Sequence, residues 1–300
     1  TQIVGLVTSK RMKLSAGGIL EPSRFLDRAT MESEGDAHGG LSDVLRAIEQ
    51  LDLAHDVMFV DATADASPTM LEVHKKVLQM RSRMVTANKN PLARFSFADF
   101  RELTRRPNVY RYNASVMAGG DAVPFLLDSQ LISEPVFSIA GCFSGTLGFV
   151  ASALEEGRPF SEVVRDAHEK KYTEPHPWDD LSGIDVARKL LILVRSAGFP
   201  LEFSHIHIEP FIPAEYGKIP DVSEFLQALS RENGSLKNRM NAAQEKGKTL
   251  RYVASFQNAP DKGLTMDVGL REVDKSDPLG QLRGTSNLVK IITRDRAPME

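Results

Sequence analysis

Short apolar runs alternate with amphipathic stretches over the first third of the chain, a pattern typical of strands followed by helices. The apolar runs predict strands at Ile3–Thr8, Val57–Val60, Met84–Ala87 and Val109–Tyr112. Helices are predicted between them, with N-caps at Ser42, Ser67 and Ser96. Such repeated units favour a parallel sheet with helices on both faces. Ligands bind these sheets beyond the carboxyl ends of the strands, where Thr63 and Lys89 lie.

The pattern changes after about residue 120. A strand is predicted at Val136–Ala140, and helices are predicted near Ser144–Glu156, Ser161–Lys170, Gly183–Ala197 and across 221–246. Alternating apolar positions then predict strands at Leu250–Phe256, Thr265–Glu272 and Leu288–Thr293. We therefore expect an α/β region at 1–120 and an α+β region at 121–300, connected near Gly119-Gly120.

Composition narrows the class of protein. The 300 residues are 42% hydrophobic and 26% charged, and a net charge of −3 gives no reason to expect nucleic acid or an anionic membrane as partner. No apolar run approaches the roughly 20 residues that span a bilayer. Cys142 is the only cysteine, which fits a reducing, cytoplasmic compartment. No metal site is predicted, because His205 and His207 have no third ligand nearby in the sequence.

The segment from Tyr172 to Lys189 concentrates ionisable groups. Four acids precede the lysine within 18 residues: Glu174, Asp179, Asp180 and Asp185. Ser182 is predicted to cap a helix that is largely enclosed by apolar packing. A lysine in such a helix, beside carboxylates, is costly for folding but useful for moving a proton or gripping a zwitterion.

Two plainer interpretations of this segment stay open from spacing alone. Ser182 and Asp185 have the spacing of a capping box. Asp185 and Lys189, four residues apart, also fit a solvated helix pair that contributes about 0.3–0.5 kcal/mol.

A glycine-rich nucleotide turn is missing from the first region. A dinucleotide-binding sheet normally begins with a strand, a GxGxxG turn and a helix whose N-terminus holds the pyrophosphate. No GxGxxG occurs in this sequence. We therefore expect Ile3–Thr8 to be the second strand of such a sheet, and the chain to lack the first strand, turn and helix.

Three motifs resemble the homoserine dehydrogenase family. They are Val85-Thr86-Ala87-Asn88-Lys89, Gly141 through Gly148, and Tyr172-Thr173-Glu174-Pro175 through Asp185-Val186-Ala187-Arg188-Lys189. Gly284-Thr285-Ser286-Asn287 resembles a later signature, and the match covers nearly the whole chain in the same order. The family's C-terminal glycine-alanine segment is not found before Glu300, so we expect a chain truncated at both ends relative to the family.

The resemblance implies an oxidoreductase of amino-acid (threonine and methionine) biosynthesis that interconverts L-aspartate 4-semialdehyde and L-homoserine with NAD(P)H, as a homodimer. It implies a Rossmann-like dinucleotide-binding domain at 1–120, without its first strand and turn, and a substrate-binding, catalytic and dimerisation domain at 121–300. It places catalytic groups on Lys189, Lys89 and Asp185, substrate contacts on Glu174, Asp180, Tyr172, Gly145 and Thr146, and cofactor contacts on Thr63 and Ala87. The sequence does not tell which lysine donates the proton. A catalytically weak homologue that only binds the amino acid is the alternative, and a dehydrogenase for another semialdehyde or amino acid is a third hypothesis.

The residues after Ile3–Thr8 bear on cofactor choice. If that strand is second in the sheet, its carboxyl end lies at the adenosine ribose, where NAD-selective folds place an acid. Ser9, Lys10 and Arg11 stand there instead and can contact a 2′-phosphate. They predict a preference for NADPH over NADH, and a solvated basic loop is the plainer alternative.

Overall fold

A computed structural model describes residues 2–50, 57–259 and 263–294. The chain forms two compact units, Thr1–Tyr112 and Asn113–Glu300. The change from one unit to the other falls a few residues before the predicted boundary at 120. No helix of the described ranges is both long enough and apolar enough to cross a membrane.

The first unit contains the predicted parallel sheet. Its elements are β1 (Gly5–Val7), β2 (Arg11–Leu14), α1 (Arg28–Glu34), β3 (Asp36–Ala37), α2 (Leu41–Gln50), β4 (Met58–Asp61), α3 (Pro68–Gln79), β5 (Arg83–Thr86), α4 (Asn90–Ala93), α5 (Phe97–Thr104) and β6 (Tyr110–Arg111). Strands β4, β5 and β6 pair in parallel in that order, with α3 connecting β4 to β5. The side chains of Ser67 and Ser96 accept from the backbone of the helices they precede, which confirms both N-caps. The predicted cap at Ser42 is wrong, because α2 already begins at Leu41.

The expected position of Ile3–Thr8 in the parallel sheet is wrong. Strand β1 does form there, but it pairs antiparallel with β2, which in turn pairs with β3. The turn between them is closed locally, since the Thr8 amide donates to Arg11 O at 2.8 Å and the Arg11 amide donates to Thr8 Oγ1 at 3.1 Å. Ser9 and Lys10 therefore form the tip of a hairpin, and Arg11 begins its second strand.

The second unit is built on a mixed sheet of five strands. Its elements are α6 (Ala122–Leu131), β7 (Val136–Cys142), α7 (Gly145–Glu155), α8 (Phe160–Glu169), α9 (Trp178–Leu181), α10 (Ile184–Ser196), β8 (Ile206–Ile208), α11 (Val222–Ala228), α12 (Asn233–Glu245), β9 (Lys248–Ala259), β10 (Gly263–Asp274), α13 (Pro278–Gln281) and β11 (Leu288–Thr293). The strand order is β11-β7-β9-β10-β8, with the long β9–β10 hairpin at its centre. The predicted helical region at 221–246 is two helices separated by a 3₁₀ turn at Leu229–Glu232.

Helix α10 lies in the core of this unit. Every residue from Leu190 to Ser196 is buried, which confirms the enclosed helix predicted from its apolar pattern. Its N-cap is Gly183, however, and not Ser182. The Ser182 hydroxyl instead donates to Asp179 O at 3.0 Å and closes α9. Gly183 adopts a left-handed φ of +74°, and a Cβ there would overlap the Tyr252 hydroxyl.

Candidate functional site

Lys189 joins the start of α10 to the turn between β7 and α7. Its ammonium Nζ pairs with Asp185 Oδ2 at 2.9 Å and donates to Phe143 O at 2.8 Å. The Lys189 side chain is 17% exposed and that of Asp185 39% exposed, so this is a half-buried pair rather than a solvated one. An ammonium has three donors. Two of them are engaged by described residues, which leaves one for a bound oxygen.

The β7–α7 turn is held in place by local contacts. Ser144 is the N-cap of α7, and its hydroxyl accepts from the Leu147 amide at 3.2 Å. Gly145, the first residue of the helix, packs against the 284–286 loop, because a Cβ there would lie 3.3 Å from Thr285 O. The turn that carries the Phe143 carbonyl is therefore held by the cap of α7 and by the 284–286 loop.

Asp180 lies half-buried on α9 among the other acids. Its Oδ2 accepts from the Glu174 amide at 2.8 Å. Burial is the largest cause that raises the pKa of Asp180 to about 6; the charges of Glu174 and Asp185 act in the same direction, and hydrogen bonds from the Glu174 amide and the Thr146 hydroxyl oppose it. The pKa shift thus reports that Glu174, Asp180 and Asp185 share one site.

Thr146, on α7, contacts both the Tyr172 backbone and the Asp180 carboxylate. The buried Thr146 hydroxyl donates to Tyr172 O at 2.5 Å and also faces the Asp180 carboxylate, and its single proton serves one acceptor at a time. Tyr172 is 46% exposed, and its ring packs edge-on against Phe149, with ring centroids 5.4 Å apart. The backbone of Tyr172, rather than its hydroxyl, thus anchors the 172–180 segment.

The charge of the cluster defines what it can bind. The site holds three carboxylates, on Glu174, Asp180 and Asp185, and one ammonium, on Lys189, which pairs with Asp185, so the carboxylates outnumber the ammonium. Such a site favours a ligand that presents a cation to the acids and an oxygen to the lysine. In the described part of the chain, no group of three or more His, Cys, Asp or Glu side chains is arranged to hold a metal ion.

Thr63, Ala87 and Lys89 lie in the first unit, at the carboxyl ends of β4 and β5. The Ala87 amide donates to Asp61 O at 2.9 Å, and Asn88 Nδ2 donates to Thr63 Oγ1 at 3.3 Å, so the two strand-end turns are joined. Thr63 and Ala87 are exposed, whereas Lys89 is half-buried as the N-cap of α4.

These turns fit part of a nicotinamide cofactor site. Two small, exposed residues at adjacent parallel strand ends offer a surface for a flat ring. The adjoining Asn90 side chain is buried, and its Oδ1 has no partner among the described residues. Of the predicted phosphate contacts, Ser9 and Lys10 are exposed, but Arg11 pairs with Glu32 at 3.5 Å.

Sequence reasoning missed several residues that shape these sites. The Phe143 carbonyl and the Tyr252 hydroxyl act through backbone or tertiary contacts, which no side-chain pattern reveals. Asp61 was visible only as the end of an apolar strand. Its partner His74 gave no signal, because it stands on α3 like any other helical residue.

Comparison with known proteins places the chain in a family. A sequence model of the family described as homoserine dehydrogenase matches residues 123–299. A bifunctional aspartokinase/homoserine dehydrogenase of Haemophilus influenzae is 32% identical over 99% of this chain and 36% of its own length. The bifunctional aspartokinase/homoserine dehydrogenase 2 of Escherichia coli K12 is 34% identical over 97% of this chain and 35% of its own length. The chain thus spans about a third of the length of these curated relatives.

Solved structures agree on the fold. A Candida auris protein of unknown function is 25% identical, with a TM-score of 0.84 over 97% of this chain and 81% of its own. A homoserine dehydrogenase from Thiobacillus denitrificans is 22% identical, with a TM-score of 0.67 over 85% of this chain and 57% of its own. The latter likeness concerns the fold alone. With the family match covering more than half of its residues, this chain belongs to the homoserine dehydrogenase family, whose members are oxidoreductases that use a nicotinamide cofactor.

Proposed function

We propose that this chain interconverts L-homoserine and L-aspartate 4-semialdehyde with a nicotinamide cofactor, in threonine and methionine biosynthesis. The observation that carries the proposal is the half-buried Lys189 ammonium, fixed by Asp185 and Phe143 O beside two further acids. Homoserine and its semialdehyde both present an ammonium and an oxygen, which match this arrangement of charge.

Glu174 and Asp180 are assigned to the substrate ammonium. Two carboxylates beside one another are unfavourable without a cation, and the charge of Glu174 adds to burial in raising the pKa of Asp180. A bound ammonium removes that repulsion, so substrate binding stabilises both charges. Because a charged hydrogen bond is worth about 1.5–3 kcal/mol, this pair can dominate substrate affinity.

Lys189 is assigned to the reacting oxygen. When bound, the nicotinamide supplies the hydride that reduces the aldehyde carbon. Negative charge then develops on the aldehyde oxygen, and the free N–H of Lys189 stabilises it and donates the proton. Asp185 holds the ammonium in place and, being partly exposed, connects it to solvent for reprotonation. Lys89 remains a second candidate for the proton donor.

Several finer properties belong to the same proposal. We assign the first unit to the cofactor and the second to substrate, catalysis and dimerisation, in a cytoplasmic homodimer. Strand β11 supports dimerisation because it is the edge strand of its sheet among the described residues, with Ile292 37% exposed. The preference for NADP loses its original premise, because Ile3–Thr8 is not a strand of the parallel sheet. It rests only on the exposed basic hairpin tip of Ser9 and Lys10, since Arg11 is engaged by Glu32.

An assay with purified chain tests the proposal. Homoserine should drive NADP⁺ reduction, followed at the nicotinamide absorbance band, whereas L-threonine and 4-hydroxybutyrate should not. 4-Hydroxybutyrate keeps the primary alcohol but lacks the ammonium. Homoserine binding by calorimetry without any NADP⁺ reduction would instead support the weak-binder alternative. Turnover of 4-hydroxybutyrate as fast as homoserine would contradict the assigned role of the acids.

A further inference from the structure

Three buried titratable groups form a hydrogen-bonded chain in the first unit. His74 Nε2 lies 3.0 Å from Asp61 Oδ2, and His74 Nδ1 lies 2.7 Å from Tyr110 Oη. His74 is fully buried, Tyr110 is 1% exposed and Asp61 8% exposed. The chain links α3 to β4 and β6, two strands that flank β5.

The positions of the protons in these hydrogen bonds follow from the two groups that flank His74, the Asp61 carboxylate and the Tyr110 hydroxyl. The Asp61 carboxylate can only accept, so Nε2 of His74 carries the proton between them. In the neutral ring, Nδ1 then accepts from the Tyr110 hydroxyl. Burial acts to raise the pKa of Asp61, but hydrogen bonds from His74 and Thr63 outweigh it and hold that pKa below its ordinary value. The buried carboxylate is therefore kept ionised by its partners.

The other end of Asp61 reaches the candidate cofactor turns. Its Oδ1 accepts from the Thr63 amide at 2.9 Å and from the Thr63 hydroxyl at 2.8 Å. Its carbonyl accepts from the Ala87 amide at 2.9 Å. Asp61 thus holds both turns. The orientation of its carboxylate depends on the hydrogen bond between Oδ2 and His74.

We propose that His74 is a positioning residue for the nicotinamide cofactor, acting through Asp61 on the Thr63 turn; this rests on the proposed function of that turn. The His74 donor fixes Oδ2, which leaves Oδ1 to hold the Thr63 amide and hydroxyl together. Without that donor Oδ2 keeps only the longer contact with the Thr86 hydroxyl at 3.4 Å, so the carboxylate is held less firmly and the turn loses its fixed shape. Cofactor affinity then falls, while the acids and lysine of the second unit are untouched.

Two substitutions of His74 by amide side chains distinguish a positioning role from a role in packing alone. In His74→Gln the side-chain nitrogen can occupy the place of Nε2 and still donate to Asp61. In His74→Asn the amide reaches only the place of Nδ1, so the donor to Asp61 is lost. We expect the dissociation constant of NADPH, measured by its fluorescence, to rise about tenfold in His74→Asn and no more than about twofold in His74→Gln. The KM for homoserine and kcat at saturating cofactor should stay unchanged in both.

Three outcomes would overturn the inference. Equal loss of NADPH affinity in both variants would indicate a packing role, and so would a loss confined to kcat. The third is an NADPH dissociation constant unchanged in both. If the wild type binds NADPH with this pattern but does not oxidise homoserine, the proposed reaction fails and the positioning role stands.

A measurement on the wild type guards against variants that do not fold. In protein with ¹⁵N-labelled histidine, the His74 ring should show a protonated Nε2 and an unprotonated Nδ1. Its resonances should shift when NADPH is added, because two hydrogen bonds connect the ring to Thr63. Protonation at Nδ1 alone, no response of the ring to NADPH, or no NADPH binding at all would contradict the inference.

Discussion

The Lys189 ammonium donates to the carbonyl of Phe143 at 2.8 Å, across 46 residues of sequence. This bond ties helix α10 to the turn that follows β7. Because Asp185 holds the same ammonium from one helical turn earlier, the lysine has little freedom to move. A charged group fixed in this way is prepared for an oxygen that becomes negative during a reaction.

Removing either acid of the proposed ammonium site should weaken homoserine binding. We expect Glu174→Gln and Asp180→Asn each to raise the dissociation constant about tenfold or more, because each removes a charge that meets the substrate ammonium. Isothermal titration calorimetry measures it directly. Asp179→Asn is the matched control, since it removes the same charge from an exposed neighbour and should change affinity less than about threefold. Equal effects in all three variants would show that only the net charge matters.

The same Asp180→Asn variant should be more stable than the wild type above pH 6. Burial first, and then Glu174 and Asp185, raise the pKa of Asp180 from 3.8 to about 6, so the folded state keeps a proton that the unfolded state loses. Wild-type stability therefore falls as pH rises from about 4 to 6, and asparagine removes this loss. We expect a difference of about 1–3 kcal/mol above pH 6 and almost none below pH 4.

Trp178 makes this stability measurement specific, because it is the only tryptophan and lies on α9 beside Asp180. Urea unfolding followed by its fluorescence at pH 4, 5, 6 and 8 gives the free energy at each pH. A difference that does not depend on pH would contradict the raised pKa.

A methyl group at Gly183 should lower the stability of the second unit. Gly183 has a φ of +74°, and a Cβ there would overlap the Tyr252 hydroxyl, which donates to Glu209 O at 2.8 Å. We expect Gly183→Ala to cost about 2–4 kcal/mol. Gly157→Ala is the matched control, because Gly157 has a φ of +87° with open space around it, and it should cost only about 1 kcal/mol. Equal costs, measured by urea unfolding, would mean that the Tyr252 contact is unimportant.

Cofactor choice is predicted to depend on the hairpin tip. We expect kcat/KM to favour NADPH over NADH and Lys10→Ala to reduce that preference about three- to tenfold, because the exposed ammonium would contact the 2′-phosphate. Arg11→Ala should change it less, since that guanidinium is engaged by Glu32 and by Gly35 O. Steady-state kinetics with both cofactors checks this. A preference for NADH, or a preference for NADPH that Lys10→Ala does not change, would contradict a contact between the hairpin and the 2′-phosphate.

Features that depend on neighbouring residues could be predicted from the sequence. Features that depend on residues far apart in the sequence could not. The caps at Ser67 and Ser96 follow from local hydrogen bonding, and the structure confirms them. The N-cap of α10 was predicted at Ser182, but it is Gly183. The Tyr252 hydroxyl occupies the space that a side chain at position 183 would need. The first strand was found, but its pairing was wrong, because a four-residue turn closed a hairpin before any parallel partner was reached.

The candidate site shows the same division. Spacing predicted that Asp185 and Lys189 share a helix face, and the structure brings them to 2.9 Å. Spacing could not predict the third member, Phe143 O, because a carbonyl has no sequence signature. The roles of these residues remain predictions.

Replacing the Lys189 ammonium tests the central claim most directly. Lys189→Met keeps the length and apolar stem of the side chain but cannot donate to an oxygen. Lys170→Met is the matched control, because Lys170, the C-cap residue of α8, forms a similar i,i+4 pair with Asp166 and is 49% exposed. The measurement is kcat for homoserine-dependent NADP⁺ reduction, with folding checked by Trp178 fluorescence. We predict a loss of about 10²–10⁴-fold in Lys189→Met and less than twofold in Lys170→Met; a folded Lys189→Met variant that keeps a kcat within about threefold of wild type would contradict the account.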